Sequence, residues 1–180
     1  MIIGLTGKIC SGKNYIAELL ARRGFEVWDL DRKASEIRNR KSKEIKALFG
    51  TADKKAVSDL VFSDVQKLGA LENLIYPDLR KKIQAFPFDL VINGALLNRG
   101  GFDKLCSFII YVDAPEQERQ RRAANRNFPD SEDFLRRNAL QADVVPSAYS
   151  CPVFVLQNFN KTQEELIADL DRILSDPPVS

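Results

Sequence analysis

Short apolar runs along the chain alternate with stretches in which apolar residues recur every three or four positions, the alternation of an α/β protein. Ile2, Ile3 and Leu5 read as a buried strand, and Ile16, Leu19 and Leu20 as one face of the helix after it. Gly24 resets the chain before a second strand, Phe25 to Trp28, which ends near Asp29 and Asp31. A charged helical stretch from about 32 to 49 is predicted next, with Gly50 as its stop. Ser63 and Gln66 have the spacing of a capping box, opening a helix through Val65, Leu68, Leu71, Leu74 and Ile75 that Pro77 should limit. Residues 89–93 and 107–112 read as strands, Asp113-Ala114-Pro115-Glu116 as a helix start, and 153–156 as a last strand. Thr162 and Glu165 cap a final helix packed through Leu166, Leu170 and Ile173, and Pro177-Pro178 ends regular structure.

The join between the first strand and helix carries the chemistry. Gly7, Gly12 and Lys13 meet the pattern Gly-x4-Gly-Lys-Ser/Thr in all but its last position, where Asn14 replaces the hydroxyl that ordinarily ligates Mg2+. Glycines let successive N–H groups curl round a phosphate, the start of the helix presents its positive end, and Lys13 adds a charge for the outer phosphates. An ordinary strand–turn–helix with two glycines is the bland alternative. A β-branched strand before the loop and an amphipathic helix after it favour the phosphate-binding reading.

Composition narrows the reaction. With 180 residues, 44% of them hydrophobic and 29% charged, the chain suits one globular domain with a small insert or lid. A net charge of +2 is too mild to argue for a nucleic-acid or membrane-surface partner, and no apolar run or signal peptide points to a membrane. Cys10, Cys106 and Cys151, odd in number and widely spaced, fit reduced thiols in a cytoplasmic protein. Histidine is absent altogether, which excludes imidazole acid–base chemistry and the commonest zinc sites. Catalysis must rest on carboxylates, Lys, Arg and a metal.

Gly7, Asp31 and Asn93 follow strand ends and so fall along one edge of the sheet, where ligands of open α/β sheets bind. Asp31 is placed to orient a hydroxyl nucleophile and take its proton, or else to cap a helix. Arginines supply a second group. Arg122 and Arg126 share a helix face, and Arg137 follows a polar stretch; planar cations of this kind neutralise a transferring phosphoryl group, often from a lid. Arg119 and Arg121 read instead as a solvated face paired with nearby acids such as Glu116 and Glu118.

In their order and spacing these motifs resemble those of the dephospho-CoA kinase family, and the resemblance covers almost the full length. It is carried by Ile3-Gly4-Leu5-Thr6-Gly7 with Ser11-Gly12-Lys13, by Val27-Trp28-Asp29-Leu30-Asp31, and by Val61-Phe62-Ser63. Tyr76-Pro77-Asp78-Leu79-Arg80, Ala95-Leu96-Leu97, Val112-Asp113-Ala114-Pro115, Arg122-x3-Arg126, Arg137-x3-Gln141 and Asn158 complete it. The resemblance implies a three-layer α/β/α P-loop kinase fold with a five-stranded parallel sheet. Its core would span about 1–31, 87–122 and 144–176, with a helical substrate-binding insert at about 32–86 and a lid at about 123–143. The implied reaction is ATP-dependent phosphorylation of the ribose 3′-hydroxyl of dephospho-CoA. Asp31, Lys13 and Arg137 would be catalytic. Gly7, Lys8, Cys10, Ser11, Gly12, Lys13, Asn14, Tyr15, Arg122, Arg126 and Asn158 would hold ATP. Asp31, Tyr76, Arg80, Leu97 and Gln141 would hold the acceptor, and Asn14 and Asp31 the Mg2+. A monomer or weak homo-oligomer is expected.

The chain departs from the family pattern at several points. Asn14-Tyr15 stands for Ser-Thr, Lys8 and Cys10 for glycines, Tyr76 for a histidine, and Asn93 for an acid. Asn98-Arg99 occupies the place of another acid. Another small-metabolite or nucleotide kinase on the same fold, or a nucleotide-binding protein with weakened catalysis, are the alternatives.

Overall fold

A computed structural model describes residues 1–125 and 131–176, without the side chains of Phe62 and Ser131. These residues divide into two compact units, one of 1–28 with 88–176 and one of 29–87.

The first unit is built on five strands, β1 (Ile2–Thr6), β2 (Glu26–Asp29), β3 (Leu90–Asn93), β4 (Phe108–Asp113) and β5 (Val153–Gln157), in the parallel order β2-β3-β1-β4-β5. In register, β1 sets Ile3 beside Val91 and beside Phe108, and β4 sets Ile109 beside Val153. The apolar runs of β1, β3 and β4 are buried almost throughout because the sheet is covered on both faces. On one face, α1 (Lys13–Ala21) and α8 (Gln163–Ser175) pack Ile16, Leu19, Leu20, Leu166 and Leu170 against Ile3, Leu5, Phe108, Ile110 and Val112. On the other, Gly4 lets Leu97, Cys106 and Ile109 approach closely, and the Tyr111 hydroxyl donates to the Val144 carbonyl at 2.9 Å. The expected capping box of α8 is present, with Thr162 and Glu165 each bonded to the other's backbone N–H. All three cysteines are free thiols. Strand order reverses at β1, whose two neighbours β3 and β4 are reached in opposite directions, so the loop after β1 opens at the topological switch point.

The second unit is helical: α2 (Leu30–Arg40), α3 (Ser42–Phe49), α4 (Lys54–Phe62) and α5 (Val65–Gln84). Its core joins Ile45, Val57 and Val61 to Phe49, Leu68, Leu71 and Leu74. Here the sequence-based expectations need correction. The single charged helix is two, broken at Lys41, whose side chain pairs with Asp78 at 2.8 Å. The capping box at Ser63 is not formed: Ser63 ends α4, an element the pattern did not reveal, and its hydroxyl donates back to the Asp59 and Leu60 carbonyls. Asp64 is the true cap of α5, accepting from the Gln66 and Lys67 N–H groups. Nor does Pro77 end α5. It costs one backbone hydrogen bond, while Ile75, Leu79 and Ile83 stay buried along one continuous face through it.

Two further helices of the first unit, α6 (Glu116–Ala124) and α7 (Ser131–Ala139), lie on either side of Arg126, Pro129 and Asp130. Arg126 is outside the described residues, as are Pro177 and Pro178.

Candidate active site

The loop from Gly7 to Gly12 is held open by backbone geometry that side chains would disrupt. Gly7 has φ 144° and Gly12 φ 102°, and a Cβ on Gly7 would lie 2.2 Å from the Val112 carbonyl oxygen. On Gly12 it would lie 2.0 Å from Asn158 Nδ2. Cys10 adopts φ 60° without being glycine, and it is fixed there by packing with Ile9, Ala123 of α6 and Phe134 of α7. No side chain caps the start of α1, which leaves its positive end to the loop. Ser11 Oγ is buried without a hydrogen-bond partner. Lys13 Nζ donates to the Gly7 carbonyl at 2.7 Å and the Lys8 carbonyl at 3.2 Å, so its charge sits across the mouth of the loop.

A layer of polar side chains clamps the loop from behind. Arg122 donates to the Ser11 carbonyl at 2.9 Å and the Asn158 carbonyl at 2.6 Å, and Asn158 Nδ2 donates to the Ser11 carbonyl at 2.8 Å. Glu118 holds Arg122 in place at 2.7 Å, and its carboxyl is drawn down to about 2 by hydrogen bonds from Arg121 first and then Arg122. Gln141 Oε1 accepts from the Ile9 N–H at 2.6 Å. Arg119 pairs with Glu116 at 3.6 Å as expected but is not solvated: it is 4% exposed and donates to the Ala114 carbonyl, the Ile9 carbonyl and Asn138 Oδ1. Its guanidinium also lies 5.8 Å from the centre of the Phe134 ring. Nothing local in the sequence marks the burial of Arg119 or its meeting with Phe134 and Asn138. Arg121, by contrast, is exposed and paired with Glu118 as expected.

The other sequence-selected residues fall as follows. Tyr15 is half-buried against the core below the loop, and Lys8 is half-buried in it. Leu97 is fully buried beside Gly4. Arg137 is half-exposed on α7 and lies 2.9 Å from Asp133. The Asp133 carboxyl is held below its usual range by Arg136 and then Arg137. In the second unit Asp31 is exposed in the first turn of α2, whose cap is Asp29, accepting from the Arg32 N–H at 2.9 Å. Asp31 and Tyr76 line one cavity of about 370 Å³ between the helices of that unit, and Arg80 follows Tyr76 one turn later on α5. Its walls include Val57, Val61, Leu68, Leu71 and Ile75.

The two amides that replace expected metal ligands meet each other. Asn93 Nδ2 at the end of β3 donates to Asn14 Oδ1 at 3.3 Å. Among the described residues no cluster of three or more Cys, Asp and Glu side chains is arranged to hold a metal ion. Mg2+ in phosphoryl-transfer sites is carried largely by phosphates and water, with few protein ligands. A metal arriving with the nucleotide would find at Asn14 Oδ1, which accepts one hydrogen bond from Asn93, a neutral oxygen with a second lone pair.

A family model described as dephospho-CoA kinase matches residues 1–164. The chain belongs to the dephospho-CoA kinase family. A Thermus thermophilus relative named dephospho-CoA kinase is 36% identical over 152 residues, 78% of this chain and 75% of its own length. The crystal structure of a Thermus thermophilus protein superposes with a TM-score of 0.81 at 32% identity, covering 99% of this chain and 98% of the other. Dephospho-CoA kinase from Campylobacter jejuni shares the fold at a TM-score of 0.68 and 19% identity, over 97% of this chain and 96% of its own. The architecture expected of a P-loop kinase is thus the one found. No described helix is long and apolar enough to cross a membrane.

Proposed function

We propose that the protein transfers the γ-phosphoryl group of ATP to the ribose 3′-hydroxyl of dephospho-CoA, giving coenzyme A and ADP. The observation that carries this is the continuous family match over residues 1–164, which takes in both the phosphate-binding loop and the helical unit. In this reading the loop N–H groups and the start of α1 receive the ATP phosphates, and Ser11 Oγ gains the partner it lacks. Lys13 turns from the Gly7 and Lys8 carbonyls to the outer phosphates. Arg122 and Asn158 hold the loop in shape, and Gln141 fixes the Ile9 N–H. The 29–87 unit binds the acceptor in its cavity, with Tyr76 and Arg80 at the site and Asp31 accepting the hydroxyl proton as the new P–O bond forms. Arg137, released from Asp133, places its charge on the transferring group, with 123–143 acting as a lid. Mg2+ bound with ATP would neutralise developing phosphate charge, its protein contacts coming from Asn14 and Asp31. A cytoplasmic location is part of the same proposal.

The test is ADP release measured with dephospho-CoA against a panel of nucleosides. Selective turnover of dephospho-CoA is expected; preference for a nucleoside would reassign the protein to another kinase on this scaffold.

One observation favours a second reading, a nucleotide-binding protein with weakened turnover: the Asn14–Asn93 amide pair supplies neutral oxygen where a hydroxyl and an acid are the rule. Asn14→Ser, and more so Asn14→Ser with Asn93→Asp, is expected to lower the Mg2+ concentration for half-maximal activity and for half-maximal ATP binding by calorimetry. Midpoints unmoved by either change would remove Asn14 from the metal's surroundings. Absent turnover in the doubly changed protein would favour the second reading.

A further inference from the structure

The cavity of the helical unit contains cations that the fold leaves unused. Arg38 of α2 and Lys54 of α4 both line it. Neither side chain makes an ion pair or hydrogen bond with any described residue. Three basic residues of the same unit are engaged, Lys33 with Glu36, Lys41 with Asp78 and Lys67 with Asp64, but none of these lines the cavity. Arg38 is the more telling of the two, because its Nη2 is shielded from solvent with no partner. A buried donor on a charged group is costly to leave unsatisfied, and such groups are rare in native structures. The cavity's own acids do not supply the partner: Glu72 accepts instead from the Tyr76 hydroxyl at 3.2 Å.

We infer that Arg38, together with Lys54, is the anion-binding corner of this cavity and grips the diphosphate of the acceptor. The inference rests on the acceptor reading of the cavity given above. Dephospho-CoA joins adenosine to a pantetheine arm through a diphosphate. A planar guanidinium with a free N–H edge matches phosphate oxygens in a bidentate manner, and a lysine adds a point charge. The aliphatic walls formed by Val57, Val61, Leu68, Leu71 and Ile75 suit the arm beyond it. The same arrangement gives the site its selectivity, since an uncharged acceptor would leave Arg38 Nη2 unpaired.

The experiment is calorimetric titration of wild type, Arg38→Met and Arg38→Lys with dephospho-CoA and with phosphate-free pantetheine, at two salt concentrations. Met keeps the apolar stem of Arg38 and removes its charge. Arg38→Met is expected to weaken dephospho-CoA binding roughly tenfold or more, with a shallower salt dependence. Arg38→Lys should weaken it less, and pantetheine affinity should not change. If Arg38→Met fails to fold, Lys54→Gln carries the same expectation from the exposed side of the cavity. Unchanged dephospho-CoA affinity in a folded Arg38→Met protein would overturn the inference and leave the acceptor reading standing. So would an equal loss for both ligands, which would make Arg38 a structural residue. Wild-type protein that binds no dephospho-CoA would instead overturn the reading beneath it.

Discussion

Lys13→Ala is expected to lower kcat/KM by about 10²-fold or more, the scale seen when one preorganised charge or donor is removed from a developing anion. The two arginines nearest the loop are committed elsewhere: Arg122 to the Ser11 and Asn158 carbonyls, and Arg119, buried, to the Ile9 carbonyl. The Gly7 and Lys8 carbonyls that accept from Nζ would lose that donor, a modest cost to the nucleotide-free protein. Loss of ATP affinity by calorimetry should therefore accompany the loss of rate, with a melting temperature close to wild type. Unchanged kinetics would remove the phosphate-binding role of the loop.

Asp31→Asn is expected to lower kcat by ~10²-fold or more while KM for ATP moves little, the signature of a group acting on the acceptor hydroxyl in the transition state. The structure separates this variant from the loss of a helix cap. The capping function that would have been the alternative role belongs to Asp29, whose carboxylate accepts from the Arg32 N–H. Asp31 stands in the first turn of α2, where the helix dipole favours its charge by about 0.3–1 kcal/mol. Steady-state kinetics together with a thermal melt decide it. A lowered melting temperature with unaltered kcat would assign Asp31 to the helix and leave the reaction without its proposed base.

What the sequence discloses depends on whether the signal is local. The glycines at 7 and 12 with Lys13 mark the loop because the geometry they permit is a property of consecutive residues. The strands β1, β3 and β4 were legible as apolar runs for the same reason, as was the Thr162–Glu165 capping box. Long-range pairing erased local rules elsewhere. Pro77 looks like a helix end until the buried face of Ile75, Leu79 and Ile83 carries α5 through it. Ser63 and Asp64 are adjacent and both able to cap, and only the end of α4 decides between them. Burial of Arg119 depends on Asn138 and Phe134, and the meeting of Asn93 with Asn14 spans the chain from β3 to the loop after β1. Arg38 is one of several basic residues in its stretch, and the packing of α2 with α4 and α5 around a cavity sets it apart. The departures at Asn14 and Asn93, visible singly in the sequence, become a hydrogen-bonded pair only in the structure.

The position phosphorylated on the acceptor separates a dephospho-CoA kinase from any other kinase on this fold. Wild-type protein incubated with ATP, Mg2+ and dephospho-CoA, followed by 31P NMR of the isolated product, tests it most directly. A new phosphomonoester resonance on the ribose 3′ position is expected beside an unchanged diphosphate, with one ADP formed per product. A product phosphorylated elsewhere, or ADP formed without any phosphorylated acceptor, would contradict it.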